Sequence, residues 1–561
     1  MTLIERRVGL LFATFVALLL VVLVRAVWVQ GVQGNSLAEQ AKGQQTETVV
    51  IPGSRGRILD REGRELAVSE DAATVFATPY QVKNPQKTAR VLARILDANE
   101  AEILERLTED SGFSYINRKV SMEVANEITA ANLEGIGLMP DSRRIYPQGE
   151  LAGQVIGTIG TENQGLSGLE AGKDEVLHGT DGEREVVRDA LGEELERDTL
   201  SAAEAGKDLK LTLDANIQAH VEDVLAGLGE TYQPNGATAI VMDPRDSEIL
   251  AMANWPGIDP SDPGSIKDPN LLGNLATGFT YEPGSTFKAI TVAGALEDGV
   301  VTPNTMFELP PTLQIADRTI EEAHERGPVS LSVADILAQS SNVGAVKIGL
   351  ALNDSAGDPI FGDRFDYWVR QFGFGKPTGV GFPGEEQGIL ISPEDYSGST
   401  MGNLPIGQGL AVTPMQMAAA YAAIASDGVL RTPRLILEEG GDPVEPGPEH
   451  RVISPENAAK VRKMLEGVLG PGGTAEEVQV EGYTLAGKTG TAEKVDPETG
   501  TYSETEYVAS FVGFAPAKKP QLLVAIVVDY PKGDYYGGSV AAPAFGEIAN
   551  FALPYLGIPP S

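Results

Sequence analysis

Residues 282–288 read Glu282-Pro283-Gly284-Ser285-Thr286-Phe287-Lys288 and run straight into an apolar stretch, 289–296. Pro and Gly make a tight entry, so the spacing predicts a helix whose first turn holds Ser285. Lys288, three residues on, then lies on the same face one turn away. The hydroxyl is near the partial positive end of the helix, and the amine can reach it. A neutral lysine so placed can act as the base that activates a serine nucleophile. Ser-x-x-Lys alone is a weak signal, because about one such pattern arises by chance in a chain of this size.

Two further patterns follow it. Ser340-Ser341-Asn342 lies 55 residues after Ser285, at the end of a helix-like run (333–339), and Lys488-Thr489-Gly490-Thr491 comes 148 residues after Ser340. Taken singly, the first reads as helix-end capping and the second as a turn with a solvated lysine. The glycine of the second would also allow close backbone approach to a ligand. Each pattern occurs once, and in this order they point jointly to one site.

The surrounding sequence supplies a scaffold. A strand at 209–214 precedes an amphipathic helix at about 215–228, and β-rich runs at 237–243 and 248–252 flank the turn 244–247. Strands are expected again at 508–514 and 522–528, with a closing helix at 542–555. Long Ala-rich helical stretches, 331–350 and 414–426, lie between. Strands from both ends with helices inserted in the middle make an antiparallel sheet of the α+β class.

The N-terminal part reads differently. Residues 8–24 carry no charge, and the apolar character resumes after Arg25. A helix of about 22 residues reaches roughly 33 Å, enough to cross a hydrocarbon core of about 30 Å. Arg6 and Arg7 precede the span, which places the N-terminus in the cytoplasm and the bulk outside. A cleaved signal peptide is the competing reading; its apolar core is shorter, and no A-x-A-like site follows here. Beyond it, 35–45 reads as polar helix, 48–51 as strand, Glu62-Gly63 as a turn between strands, and 86–110 and 121–133 as helix. Residues 160–208 read as hairpins and exposed connections, including Leu191-Gly192-Glu193. A structural pedestal is the default for this part. The expected division is 1–30 cytoplasmic tail and transmembrane anchor, 31–210 non-catalytic pedestal and 211–561 catalytic domain.

Composition narrows the chemistry. The 561 residues hold 43 Lys+Arg against 79 Asp+Glu, a formal charge of −36. Residues 1–210 account for −10 of this and 211–561 for −26. Such a balance argues against a nucleic-acid partner, which needs clustered cations to neutralise phosphates. The chain has no cysteine, which removes disulfides, thiolate nucleophiles and Cys-zinc sites. The four histidines, His178, His220, His324 and His450, are scattered without metal-ligand spacing, and no G-x-S-x-G elbow accompanies them.

With these motifs the sequence resembles the penicilloyl serine transferases, specifically class B penicillin-binding proteins. Arg55-Gly56-Arg57-Ile58-Leu59-Asp60-Arg61 and Arg144-Ile145-Tyr146-Pro147 are similar to the family's pedestal motifs. Gly165-Leu166-Ser167-Gly168-Leu169-Glu170, Phe372-Gly373-Phe374-Gly375, Gly407-Gln408-Gly409 and Tyr535-Tyr536-Gly537-Gly538-Ser539-Val540-Ala541-Ala542-Pro543 fit as well. Gly165–Glu170 and the Tyr535–Pro543 ending weigh towards the division-specific (FtsI-type) branch over the elongation branch. Leu275 is a departure, since many relatives carry Arg there; altered packing or salt bridging beside the nucleophile is expected.

The resemblance implies an α+β architecture: a single N-terminal transmembrane helix, an elongated β-rich pedestal and a penicillin-binding transpeptidase domain. That last domain would be an antiparallel sheet with helices on both faces plus a helical subdomain. The implied activity is peptidoglycan D,D-transpeptidation on stem peptides ending in D-Ala-D-Ala, with β-lactams as mimics of the donor. Ser285 would attack, Lys288 would serve as base with its pKa lowered by a nearby Lys488, and Ser340 would relay protons. Asn342 would hold the substrate backbone, and Lys488, Thr489 and Thr491 would meet its terminal carboxylate. Gly490 would let the substrate approach, and the N–H groups of Ser285 and Thr491 would form the oxyanion hole. No metal or organic cofactor is implied. Implied partners are an acceptor amine, a polytopic glycosyltransferase of the FtsW/RodA type and other cell-division proteins. Three other readings stay open: an elongation enzyme, a D,D-carboxypeptidase or β-lactamase, and a β-lactam sensor with a vestigial pocket.

Overall fold

A computed structural model describes residues 3–33, 46–188, 194–495 and 501–561. The expected polar helix at 35–45 and the Leu191-Gly192-Glu193 turn lie outside them. The chain packs into two compact units: Met1–Ser54, Glu70–Arg143 and Gly179–Gly206 make one, and Arg55–Ser69, Arg144–His178 and Lys207–Ser561 the other.

The first unit begins with the helix Leu3–Gly31, of which Arg6–Gly31 is long and apolar enough to cross a membrane. Its apolar side chains point outward along the whole length, as in a helix whose solvent is lipid. The strand Thr46–Ile51 pairs antiparallel with Gly182–Arg188, which pairs in turn with Glu194–Ser201. A separate core of Val75, Leu92, Ile103, Leu107 and Ile128 is closed by the helices Pro85–Leu96, Glu100–Leu107 and Met122–Ala131. Asn84, Asn99 and Ser121 cap those three helices, each accepting a backbone N–H of the first turn.

The second unit holds a five-stranded antiparallel sheet in the order Glu248–Trp255, Gly236–Asp243, Leu522–Asp529, Tyr502–Ala515, Ala486–Val495. The first two strands are the β-rich runs that flank the turn 244–247, and the third and fourth are the strands expected at 522–528 and 508–514. Strand Leu522–Asp529 is buried at almost every position, so both faces of the sheet are covered. Helices Ala215–Tyr232 and Gly537–Tyr555 pack on each other and on one face; Pro414–Ala425 packs against the central strands from the other. The sheet ends at Ala486–Val495, the strand that carries Lys488-Thr489-Gly490-Thr491, so that edge faces the insert between Trp255 and Ala486.

Residues 55–69 and 144–178 pack with 207–561: Ile58 and Leu59 pair with Leu209 and Lys210, and Lys173 Nζ lies 2.5 Å from Glu439 Oε1. Arg55, Arg144 and Glu170 share one buried cluster: Arg55 Nε contacts Glu170 Oε2, and Arg144 Nε donates to Glu170 Oε1 at 2.8 Å. Arg55 also reaches Asp174 Oδ1 at 2.6 Å, and Arg144 the carbonyl of Gly56 at 2.7 Å. Three motifs far apart in sequence thus neutralise one another in a site closed to water.

Candidate active site

Ser285 lies in a 3₁₀ turn, Gly284–Phe287, that leads directly into the helix Lys288–Glu297. The turn is fixed from several sides. Gly284 N–H donates to the Gly407 carbonyl at 3.0 Å, Thr286 Oγ1 to Pro283 O at 2.7 Å, and Tyr421 Oη to Thr286 O at 2.7 Å. Gly407 has φ +79°, and a Cβ there would stand 2.1 Å from the Gly284 carbonyl oxygen. Side chains cannot enter that contact, so Gly407-Gln408-Gly409 buttresses the turn. Phe287 is buried against Phe374, whose ring lies 5.1 Å away. Ser285 remains half-buried and lines a cavity of about 770 Å³.

Lys288 sits behind it, only 1 % exposed. Its Nζ lies 2.5 Å from Ser340 O, 2.6 Å from Asn342 Oδ1 and 3.2 Å from Ser340 Oγ. Burial lowers the amine to about 7, against the opposing pull of the Glu322 carboxylate. A neutral amine has two N–H groups, matched by the two carbonyl oxygens, and its lone pair is left for a hydroxyl. Among the described residues no hydrogen bond joins Nζ to Ser285 Oγ. The two residues come from successive turns of one continuous helical segment, as the sequence predicts.

Ser340 interrupts what reads in sequence as one helix. The chain forms Val333–Ala338, turns, and restarts as Asn342–Asp354. Ser341 caps the second helix through Gly344 N–H at 3.0 Å, so capping falls to Ser341 and leaves Ser340 for the cavity. Ser340 has φ +61°, a left-handed conformation that costs a non-glycine residue about 1–2 kcal/mol and persists only where its surroundings enforce it. Asn342 is oriented by its amide: Nδ2 donates to Glu321 O at 2.8 Å, which leaves Oδ1 facing Lys288. One N–H of that amide remains available to the cavity that Asn342 lines.

Lys488-Thr489-Gly490-Thr491 is strand, not turn, paired in register with Val512, Phe511, Ser510 and Ala509. Gly490 is needed there because a Cβ would lie 2.3 Å from Ser510 Oγ and 2.9 Å from Thr286 Cγ2. Its absence lets the Ser285 turn pack flat on the strand. Thr489 and Thr491 line the cavity; Thr489 Oγ1 is 2.7 Å from Thr474 Oγ1, and Thr491 Oγ1 accepts from Gly537 N–H at 3.0 Å. Lys488 is fully buried, its Nζ donating to Thr489 O at 3.1 Å and Oγ1 at 3.3 Å. Burial, then repulsion from Lys288, holds it well below the usual lysine range. The expected cause of the Lys288 shift therefore needs correction: desolvation lowers it, and the lysine–lysine repulsion falls on Lys488.

Sequence reasoning missed part of the wall. Arg318, Gln408, Glu476, Glu493 and Tyr507 line the same cavity, and Tyr507, Tyr535 and Tyr536 stack with centroids 4.2 and 4.6 Å apart. Of these, Gln408 in Gly407-Gln408-Gly409 and the Tyr535-Tyr536 doublet lay within motifs that could have signalled this. Leu275 packs near Gly236 beside Asp529, whose carboxylate is paired with Lys494 at 2.6 Å.

Known proteins bear the same imprint. The model described as penicillin binding protein transpeptidase domain matches residues 237–550, and that of the penicillin-binding protein dimerisation domain matches 50–211. Stage V sporulation protein D of Bacillus subtilis is 38% identical over 567 residues, covering 98% of this chain and 85% of the relative. Peptidoglycan D,D-transpeptidase FtsI of Escherichia coli is 33% identical over 563 residues, covering 99% and 92%. The crystal structure of penicillin binding protein 3 from Mycobacterium tuberculosis, complexed with aztreonam, superposes with a TM-score of 0.70 at 30% identity. That alignment covers 91% of this chain and 98% of the other. With a hydroxyl at a helix entry, a neutral lysine behind it and an edge strand alongside, the chain belongs to the penicillin-binding proteins and carries their serine transpeptidase domain.

Proposed function

We propose that this protein is a membrane-anchored D,D-transpeptidase that cross-links peptidoglycan stem peptides through an acyl-enzyme on Ser285. The observation that carries the reading is Lys288, a buried amine lowered to about 7 and held by Ser340 and Asn342 beside the cavity that Ser285 lines. Neutral Lys288 accepts the Ser285 proton as Oγ attacks the penultimate D-Ala carbonyl carbon. The resulting oxyanion is met by the N–H groups of Ser285 and Thr491, each such donor being worth about 3–4 kcal/mol in comparable enzymes. The C–N bond breaks, and the proton passes from Lys288 through Ser340 Oγ to the departing D-Ala amine. An acceptor amine from a second stem peptide then attacks the ester, its proton returns by the same route, and Ser285 is released. Thr489 and Thr491 receive the donor's terminal carboxylate, and Asn342 the peptide backbone. β-Lactams acylate the same hydroxyl.

Labelled penicillin tests this. Labelling with an adduct that lasts hours, abolished in Ser285→Ala, is expected; a lifetime of seconds would make the protein a hydrolase, and labelling that survives Ser285→Ala would refute the nucleophile.

Residues 1–30 anchor the protein with its N-terminus in the cytoplasm, 31–210 form a pedestal for a membrane glycosyltransferase of the FtsW/RodA type, and the catalytic part is extracytoplasmic. A septal role in cell division rests on the Gly165–Glu170 and Tyr535–Pro543 motifs. A role in sporulation is the second reading, favoured by the 38% identical relative. A fluorescent fusion at midcell in growing cells supports the first, along the sidewall an elongation role, and in sporulating cells alone the second.

A further inference from the structure

We infer that Glu322 is a positioning residue of the catalytic centre, which holds the Ser340–Asn342 turn in its left-handed shape and keeps a negative charge behind Lys288. The inference rests on the acylation chemistry proposed above and adds a residue that no sequence motif marks.

The geometry is specific. Glu322 Oε1 accepts from Ser341 Oγ at 2.6 Å and Oε2 from Asn342 N–H at 2.7 Å. One carboxylate thus receives the residue that caps the second helix and the first N–H of that helix, where the helix dipole favours an anion. Its neighbour Glu321 contributes the carbonyl that orients the Asn342 amide. Residues 321–322 therefore fix both the backbone and the side chain of Asn342, and with them the oxygen that faces Lys288 Nζ at 2.6 Å. Ser340, at φ +61°, is the residue between helix and clamp, and it is this clamp that enforces the strained conformation.

Charge follows from the same placement. The Glu322 side chain is 8 % exposed and pairs with Arg326. Arg326 also donates to Leu309 O at 3.3 Å and Gly327 O at 3.1 Å, so it is anchored on its own side of the carboxylate. The titratable groups around Glu322 are then Arg326, Lys288 and, lining the same cavity, Glu321 and His324, with Lys488 behind Lys288. Glu322 favours the ammonium form of Lys288, in opposition to burial. Removing its charge must therefore extend the neutral amine to lower pH.

The experiment measures the second-order rate of penicillin acylation from pH 5.5 to 9 for the full chain in detergent and for Glu322→Gln and Glu322→Asp. Glu322→Gln carries no charge and has one acceptor oxygen, so Asn342 N–H and Ser341 are left with weaker, neutral contacts. Its rate should fall at every pH while its acidic limb moves to lower pH, raising the ratio of the rate at pH 6 to that at pH 8 about twofold or more. Glu322→Asp keeps the charge on a shorter arm, so its rate should fall with the limb unmoved. A Glu322→Gln limb that stays in place or moves upward overturns the electrostatic role, and full rates in both variants overturn the positioning role. If the wild-type chain is not acylated at all, it is the proposed function that fails. Unchanged thermal unfolding of both variants separates either outcome from misfolding.

Discussion

Glu170 is the residue on which the buried charge cluster turns, and its replacement by Gln gives a sharp test. Its side chain is fully buried, and it receives Arg55 and Arg144, whose side chains are 3 % and 2 % exposed. Gln keeps the shape but turns an N–H₂ towards one guanidinium N–H, so donor faces donor, and two cations lose their shared anion. Breaking a buried pair by removing one partner costs about 3–5 kcal/mol. Arg55 keeps Asp174 at 2.6 Å, and Arg144 keeps the Gly56 carbonyl, so the lower end, about 3 kcal/mol, is expected. Glu65→Gln is the control: its pair with Arg57 spans 3.5 Å with both side chains about half exposed, and such pairs contribute about 0–1 kcal/mol. Urea unfolding, followed by loss of penicillin labelling, should show a clear fall in midpoint for Glu170→Gln and little for Glu65→Gln. Equal midpoints for Glu170→Gln and wild type would show that the cluster does not hold residues 55–69 and 144–178 together.

Three other outcomes follow from the site. Acylation should rise with pH through about 7, since the reactive amine is the neutral form and Lys288 is lowered to about 7; an acidic limb near 10 would refute the desolvated base. Lys288→Met should lose acylation by about a thousandfold or more while folding normally, because a thioether of similar length takes no proton and needs no hydration; circular dichroism and labelling together check this. Gly407→Ala should slow acylation about tenfold or more and lower the melting temperature, since the new methyl would meet the Gly284 carbonyl and φ is +79°.

The scaffold was legible because its signals are local. Runs of β-branched and aromatic residues at 508–514 and 522–528 became central strands, and the Pro414 start and Ala-rich run became the helix Pro414–Ala425. The edge strand Ala486–Val495 was hidden for a physical reason: it is made of Gly, Ala, Thr and Lys, chosen for close approach to Ser510 and Thr286 and not for strand propensity. The break at Ser340 was legible as the end of the run 333–339, but what holds it was not, since Glu322 reaches Asn342 N–H from another segment. Ser285, Lys288, Ser340, Asn342, Lys488 and Thr491 could be nominated from motifs. Arg318, Glu322 and Glu493 could not, because their place depends on tertiary packing alone. The pairing of Arg55 with Glu170 spans 115 residues and, like those, depends on tertiary packing.

The two lysines also show which of two physical causes makes a base here. Repulsion by Lys488 and loss of hydration both lower an amine, but they predict different behaviour. Both amines are lowered chiefly by burial; repulsion from Lys288 adds to the shift of Lys488, and Glu322 opposes that of Lys288. Lys488→Met, of similar length and apolar, tests whether desolvation suffices. It removes an amine that is buried without a carboxylate, so folding stability should be unchanged or raised. The acidic limb of acylation should stay near 7, although the rate should drop, because Thr489 Oγ1 loses the donor that orders it against Thr474. A limb that climbs towards the ordinary lysine range in Lys488→Met would return the effect to repulsion and remove desolvation as the cause.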